Sequence, residues 1–197
     1  MTGRHAIILA AGAATRFGGR KLLADWRGRP LILWAVDAAL AARVDRVTVV
    51  LGSDADAVEA ALTPMSDNRL TVVVAPDWSD GLSASLRAGV EALPPDAEAV
   101  AIFLGDMPQV SAAEAGALLD AVQAGAPAAR LSHPDGPAHP TAFARSVFAS
   151  LKAITGDKGA KGILADLGDA AVLIPSNNPG AVLDVDTPSH LERSRSC

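Results

Sequence analysis

The sequence predicts an α/β protein built on a mostly parallel sheet with helices on both faces. Three observations carry this. First, short apolar runs occur at 6–11, 46–51, 70–75 and 99–104, and unbroken apolar runs of this length read as strands buried on both faces. Second, alanine-rich amphipathic stretches separate these runs, and that alternation builds βαβ units with right-handed crossovers. Third, Arg16, the segment 77–85 and Asp106 each fall just beyond the end of such a run. Ligands of open parallel sheets bind at that carboxyl edge.

Taken in order, the run at 6–11 is the first strand. Its side chains then shrink to Gly12, Ala13 and Ala14, and the cations Arg16 and Lys21 close the segment. Arg29-Pro30-Leu31 opens a helix through Ala41, with Pro30 suited to a first helical turn. The strand at 46–51 follows. Asp54 is placed to cap a helix over 55–62. A third strand covers 70–75, a helix 81–93, and a fourth strand 99–104. Ser111 caps a helix through Ala124.

The second half is less regular. A short strand is expected at 128–131. Residues 132–139 are rich in Pro, Gly and His and read as a surface loop. An extended piece follows at 141–144, helices at 146–154 and 158–167, strands at 171–174 and 182–185, and a last helix from Thr187-Pro188. There is no repeat with a period of about 20–50 residues, no low-complexity tract and no linker, so 1–197 reads as a single domain.

Composition excludes several classes. A formal net charge of -5 argues against a nucleic-acid groove, and 4% aromatic residues with no Tyr argue against a base-stacking platform. No apolar stretch reaches the roughly 18 residues of a membrane-spanning helix. The run at 6–11 merges into the glycine loop and lacks the pattern of a signal peptide. The single Cys197 forms no internal disulfide, which fits a reducing cytoplasm.

The loop after the first strand carries the strongest chemical signal. Small residues let backbone N–H groups approach a ligand, and adjacent N–H groups form an anion-binding concavity. Arg16 offers a planar fork to phosphate and Lys21 a compact charge. Lys21 is followed by Leu22, so this is no P-loop, and G-x-G-x-x-G is absent. Asp106 follows the strand at 100–104 and sits before Met107-Pro108. A carboxylate there suits Mg²⁺, which takes one or two carboxylates and keeps phosphates and waters. The plainer role is to stabilise the turn.

Asp184 and Asp186 lie two apart on an expected strand, so both share the face opposite Leu183 and Val185. Such a pair is costly unless cations neutralise it. Asp186 is also placed to cap the helix at Thr187-Pro188. In the segment 80–86, Ser83 or Ser85 can bond a base or phosphate near a helix start, while capping by Asp80 or Ser83 is the simpler use. His139 reads either as a loop histidine or as a ligand contact, and His133 as loop. Lys158 and Lys161, three apart, share one side of a helix start, which suits an anion or a solvated face. There is no Cys/His cluster for zinc and no G-x-S-x-G elbow. Trp26, Trp34 and Trp78 are scattered, and Trp34 reads as core.

The pattern Leu9-Ala10-Ala11-Gly12-x-x-x-Arg16-x-Gly18-x-x-Lys21 resembles the signature loop of the nucleotidyltransferase superfamily. Gly81-Leu82-Ser83-Ala84-Ser85-Leu86, Leu104-Gly105-Asp106-Met107-Pro108, Gly156-Asp157-Lys158-Gly159-Ala160-Lys161 and Asp184-Val185-Asp186-Thr187-Pro188 narrow the resemblance. It is to the molybdopterin cytidylyltransferase-like branch of the molybdenum-cofactor nucleotidyltransferase family, and it runs from Ala6 to Leu191. The chain departs from the branch at Ala138, where relatives show Gly-His-Pro, and at Lys161, where many carry Arg.

The resemblance implies a three-layer αβα, Rossmann-like nucleotidyltransferase fold. It implies transfer of CMP from CTP to the phosphate of molybdopterin or the molybdenum cofactor, with release of pyrophosphate and with Mg²⁺, or Mn²⁺ in its place. Arg16, Lys21 and Asp106 are then catalytic. Leu9, Ala10, Ala11, Gly12, Arg16, Lys21, Asp80, Ser83 and Asp106 bind nucleotide. Ser85, His139, Lys158 and Lys161 bind acceptor, and Asp106, Asp186 and Asp184 hold metal. The implied recipient of the product is a molybdenum hydroxylase of the xanthine dehydrogenase type. Rival expectations are a guanylyl- or sugar-phosphate nucleotidyltransferase, a non-catalytic cofactor carrier, and a redox enzyme on the same scaffold.

Overall fold

A computed structural model describes residues 3–157 and 159–195, with the side chains of 193–195 excepted. Lys158 and Cys197, both singled out above, lie outside the described residues. The strands are β1 (Arg4–Ala10), β2 (Asp25–Trp26), β3 (Arg29–Pro30), β4 (Arg46–Leu51), β5 (Leu70–Val74), β6 (Ala99–Leu104), β7 (Ala128–His133), β8 (Gly136–Ala144) and β9 (Ala171–Pro175). The α-helices are α1 (Leu31–Ala41), α2 (Ala55–Leu62), α3 (Leu82–Glu91), α4 (Ala112–Gln123), α5 (Phe148–Lys152), α6 (Lys161–Leu167) and α7 (Pro188–Arg195).

A seven-stranded sheet has the order β5-β4-β1-β6-β8-β7-β9, and β2 and β3 form a separate hairpin. The pairs β4–β5, β1–β4, β1–β6 and β7–β9 are parallel, and β8 runs antiparallel to β6 and β7. The mostly parallel α/β architecture expected from the apolar runs is therefore present. Central β1 explains the pattern: Ala6 and Ile8 pack on one face with Ile32, Val36 and Phe103, while Ile7 and Leu9 pack on the other with Leu86, Val90 and Phe143. Burial on both faces explains the unbroken apolar run from Ala6 to Ala10. Among the described residues no helix is long and apolar enough to cross a membrane.

Five expectations need correction. Residues 132–139 are not a loop but the end of β7 and the start of β8, joined by a tight turn at 134–135. Pairing of Ser132 with Pro137 and of His133 with Gly136, beyond a register shift between Arg130 and Ser132, overrides the loop-like composition. Residues 182–185 form no strand. They belong to an irregular strap that follows a 3₁₀ turn, Pro179–Ala181, and is pinned where the Val185 N–H donates to the Asp106 carbonyl at 3.1 Å. The shared-face argument for Asp184 and Asp186 therefore lapses.

The expected helix at 146–154 is split into a 3₁₀ turn, Arg145–Val147, and α5. The described part of the next helix begins only at Lys161. Finally, neither Asp54 nor a residue near α3 caps through its side chain: α3 has Gly81 at its N-cap, and the Ser83 N–H donates to the Gly156 carbonyl at 3.1 Å. Ser111 does cap α4, accepting from the Glu114 N–H. Pro30 lies just before α1, in β3.

Candidate active site

The site begins where β1 ends. Ala11 is buried, and its carbonyl accepts from the Ser53 N–H at 3.3 Å. Ser53 Oγ donates to the Gly12 carbonyl at 3.2 Å, so the β4–α2 connection braces the loop. Gly52 is required here, because a Cβ would collide with the Ala11 carbonyl and Trp78. Beyond this brace the loop is held in a left-handed conformation at Ala14 (φ 50°) and Arg20 (φ 51°). Strain of this kind in non-glycine residues persists where the surroundings enforce it, and it concentrates at functional sites. The Phe17 and Gly19 N–H groups both donate to the Ala14 carbonyl, at 3.0 and 3.1 Å. Among the described residues the N–H groups of Gly12, Ala13 and Ala14 donate to no protein acceptor.

This loop delivers two cations to two carboxylates. Lys21 Nζ lies 2.6 Å from Asp106 Oδ2 and 3.4 Å from Asp186 Oδ1, and Arg16 Nη1 lies 3.3 Å from Asp186 Oδ2. The lysine side chain is 12% exposed and the arginine 80%, so Lys21 is the internal cation and Arg16 the outer one. Asp106 is placed by the β6 end, and Asp186 by the strap. The neighbouring Val185 is wholly buried in a small core with Trp26, Leu31 and Leu191. Trp26 stands edge-on to Trp34 with centroids 4.8 Å apart, and Trp34 Nε1 donates to the Trp26 carbonyl. The β2–β3 hairpin thus works as the seat of the strap.

The donor set fits a hard divalent cation. Two carboxylates converge on one ammonium, beside a small hollow of about 240 Å³ walled by Ala14, Thr15, Arg16, Lys21 and Asp186. Among the described residues no group of three or more His, Cys, Asp or Glu side chains forms a cage. An ion at this point would complete its shell with phosphate oxygens and water, as Mg²⁺ does.

Next to the charges lies a larger cavity of about 360 Å³. Leu9, Leu82, Leu86, Ile102, Leu104 and Leu164 make it apolar, while His139, Arg130, Thr141 and Lys161 supply polar groups. His139 Nδ1 is buried without a partner. Burial pushes the imidazole below its usual pKa range, against the opposing pull of the Asp106 and Asp184 carboxylates.

The structure therefore brings together Arg16, Lys21, Asp106 and Asp186, and sets Leu9, His139 and Lys161 on the cavity wall. Ser83 and Ser85 are buried but off that wall, Asp80 is exposed in a 3₁₀ turn, and Asp184 is exposed and outside the ion-paired group. The sequence motif at 81–86 points to this region, but through its serines rather than through Leu82 and Leu86, which line the cavity. The four-residue spacing of these leucines puts them on one helix face, and that signal was available. Sequence reasoning missed Arg130 and Gly52, for which no local signal exists.

A parallel sheet whose carboxyl edge presents free loop N–H groups, cations and paired carboxylates beside an apolar hollow defines a nucleotidyltransferase. Comparison with known proteins agrees. The chain belongs to the MobA-like NTP transferase domain family, whose family model matches residues 6–171. It is 33% identical to a nicotine blue oxidoreductase of Paenarthrobacter nicotinovorans over 95% of this chain and 94% of that one. It is 29% identical to the purine catabolism protein PucB of Bacillus subtilis over 96% and 94%. Among solved structures, the Mycobacterium tuberculosis protein Rv0371c in complex with manganese superposes with a TM-score of 0.81 at 29% identity, covering 98% of both chains.

Proposed function

We propose that the protein transfers CMP from CTP to the phosphate of molybdopterin, releasing pyrophosphate. The observation that carries this reading is the juxtaposition of the Arg16–Lys21–Asp106–Asp186 cluster with a cavity that is apolar in its walls and cationic at Arg130 and Lys161. Such a cavity suits a flat heterocycle bearing an anionic group. The choice of cytosine and of a pterin acceptor draws on the motif resemblance.

In the reaction an oxygen of the acceptor phosphate attacks the α-phosphorus of CTP. The new P–O bond forms as the bond to the β-phosphate oxygen breaks, and pyrophosphate leaves. The free N–H groups of Gly12, Ala13 and Ala14 cradle the triphosphate. Arg16 swings from Asp186 onto the β and γ phosphates, a short move for an exposed side chain. Lys21 holds the two carboxylates together before substrate arrives and turns to the phosphates afterwards. Asp106 and Asp186 would hold Mg²⁺ or Mn²⁺, which polarises phosphoryl oxygens and neutralises their charge when bound; the manganese complex of the mycobacterial relative supports a divalent ion here. Leu82, Leu86 and Leu164 exclude water around the acceptor, and His139, Arg130 and Lys161 meet its polar and anionic groups. Positioning and charge complementarity supply the catalysis, since the protein forms no covalent bond.

The test is pyrophosphate release with Mg²⁺ and molybdopterin, comparing CTP, GTP, ATP and UTP. Release with CTP alone is expected. Release with GTP alone would keep the chemistry and overturn the base, and no release with any of the four would overturn the transfer itself.

A further inference from the structure

Two segments distant in sequence supply the paired carboxylates: the turn after β6, with Asp106, and the strap after β9, with Asp186. A polar buckle joins them away from the charges. Ser111-Ala112-Ala113-Glu114 has the spacing of a capping box, in which the glutamate turns back to the capping residue's N–H. Only half of that exchange forms. Ser111 Oγ accepts from the Glu114 N–H at 3.3 Å, while the Glu114 carboxylate reaches across the molecule. Its Oε1 accepts from Ser176 Oγ at 2.5 Å, and its Oε2 accepts from Asn178 Nδ2 at 3.1 Å.

Asn178 uses its side chain fully. Its Nδ2 also donates to the Gln109 carbonyl at 3.3 Å, and its Oδ1 accepts from the Gly180 N–H at 2.9 Å. Its own N–H donates to Ser176 Oγ at 3.1 Å. Ser176 is 5% exposed. Gly180 lies so close to the Gln109 backbone that no Cβ fits. Gln109 is three residues from Asp106, and five residues beyond Gly180 the Val185 N–H donates to the Asp106 carbonyl. The same two segments are therefore fastened twice, with both carboxylates at one end.

We propose that Glu114 and Asn178 are positioning residues, which fix the separation of the Asp106 and Asp186 carboxylates by clamping the strap to the Asp106 turn. Neither touches substrate. A half-buried carboxylate whose two oxygens are both taken by strap side chains is a costly way to end a helix turn; as a clamp it sets register. The metal-affinity consequence rests on the function proposed above, whereas the clamp itself does not.

The test compares E114A, E114Q and N178A with the wild type. In E114Q the amide can donate to Ser176 Oγ and accept from Asn178 Nδ2, so the clamp survives without its charge. In E114A both bonds are lost. N178A breaks the clamp while keeping the Ser176–Glu114 bond, and it serves if E114A does not fold. Hydrogen exchange at the Val185 amide is expected to speed up about tenfold in E114A and N178A and to stay near wild type in E114Q, with β1 and β4 amides unchanged. The Mg²⁺ concentration for half-maximal pyrophosphate release is expected to rise about tenfold or more in the same two variants, with kcat at saturating Mg²⁺ preserved and with rescue in E114Q. Unchanged Val185 exchange in E114A or N178A overturns the proposal, and so does an E114Q variant as impaired as E114A. A wild type that releases no pyrophosphate would refute the proposed transfer, and the exchange result would still decide the clamp.

Discussion

The charge cluster and the apolar cavity sit side by side on one sheet edge and are built in opposite ways. The cluster gathers four side chains from a strained loop, a strand end and a strap, and ion pairs cross-link them. The cavity is walled by aliphatic side chains from α3, α6 and the strands, which owe their places to packing, with polar groups, among the described residues, at His139, Arg130, Thr141 and Lys161. Charge brought together in a partly dry site is worth more than in water, and it is expensive to disrupt by halves. Apolar walls give shape, and shape is lost gradually. The two regions are therefore expected to fail differently.

The largest effect belongs to the cluster. Asp106→Ala is expected to lower kcat by about 10³-fold with acceptor binding nearly intact, as read by steady-state pyrophosphate release. A loss confined to KM would blur the division. Lys21→Met comes next, with a loss of about 10²-fold in kcat/KM for CTP. It also leaves Asp106 and Asp186 without their shared cation, which costs about 2 kcal/mol of stability in denaturant titrations. Added Mg²⁺ should return part of that stability by binding the folded state.

On the cavity side, Leu164→Trp is expected to raise the acceptor KM about tenfold while leaving the KM for CTP unchanged. A smaller and more general effect comes from pH. Burial holds His5 and His139 below their ordinary pKa. Their unfolded forms take up protons first as pH falls through about 6.5, so their contribution to stability is complete above that value. It declines as pH drops toward the folded pKa, by at most about 1.4 kcal/mol per pH unit for each group. His5 lies in β1 with neither ring nitrogen bonded, and Asp45 and Asp96 oppose the shift. His5→Phe should flatten the slope without touching catalysis, whereas His139→Gln should flatten it and also weaken acceptor binding. Lys161→Ala, at an exposed position, should raise the acceptor KM only about threefold.

The same contrast sets what could be read from the sequence. Arg16, Lys21 and Asp106 stand beside strands whose apolar runs announce themselves, so topology alone delivers them to one edge. For Asp186 the motif Asp184-Val185-Asp186-Thr187-Pro188 carries the expectation, while the strand-face argument fails: the residue sits on a strap seated by Val185 and Trp26. The β7–β8 hairpin is hidden because Gly136 and Pro137 are extended by pairing with His133 and Ser132, which no local propensity encodes. The cavity was largely invisible. Aliphatic residues such as Ile102 and Leu104 read as core whether they face a neighbour or an empty volume, and only tertiary packing separates the two. The clamp formed by Glu114 and Asn178 was disguised as ordinary helix capping.

The central claim is that the cluster takes the triphosphate and the cavity takes the acceptor. Calorimetric titration of the wild type, Lys21→Met and Leu164→Trp with CTP–Mg²⁺ and, separately, with molybdopterin tests it most directly. The account predicts a crossed pattern: Lys21→Met weakens only the nucleotide and Leu164→Trp only the acceptor. Loss of CTP binding in Leu164→Trp with acceptor binding intact would contradict it, because the cavity would then hold the base.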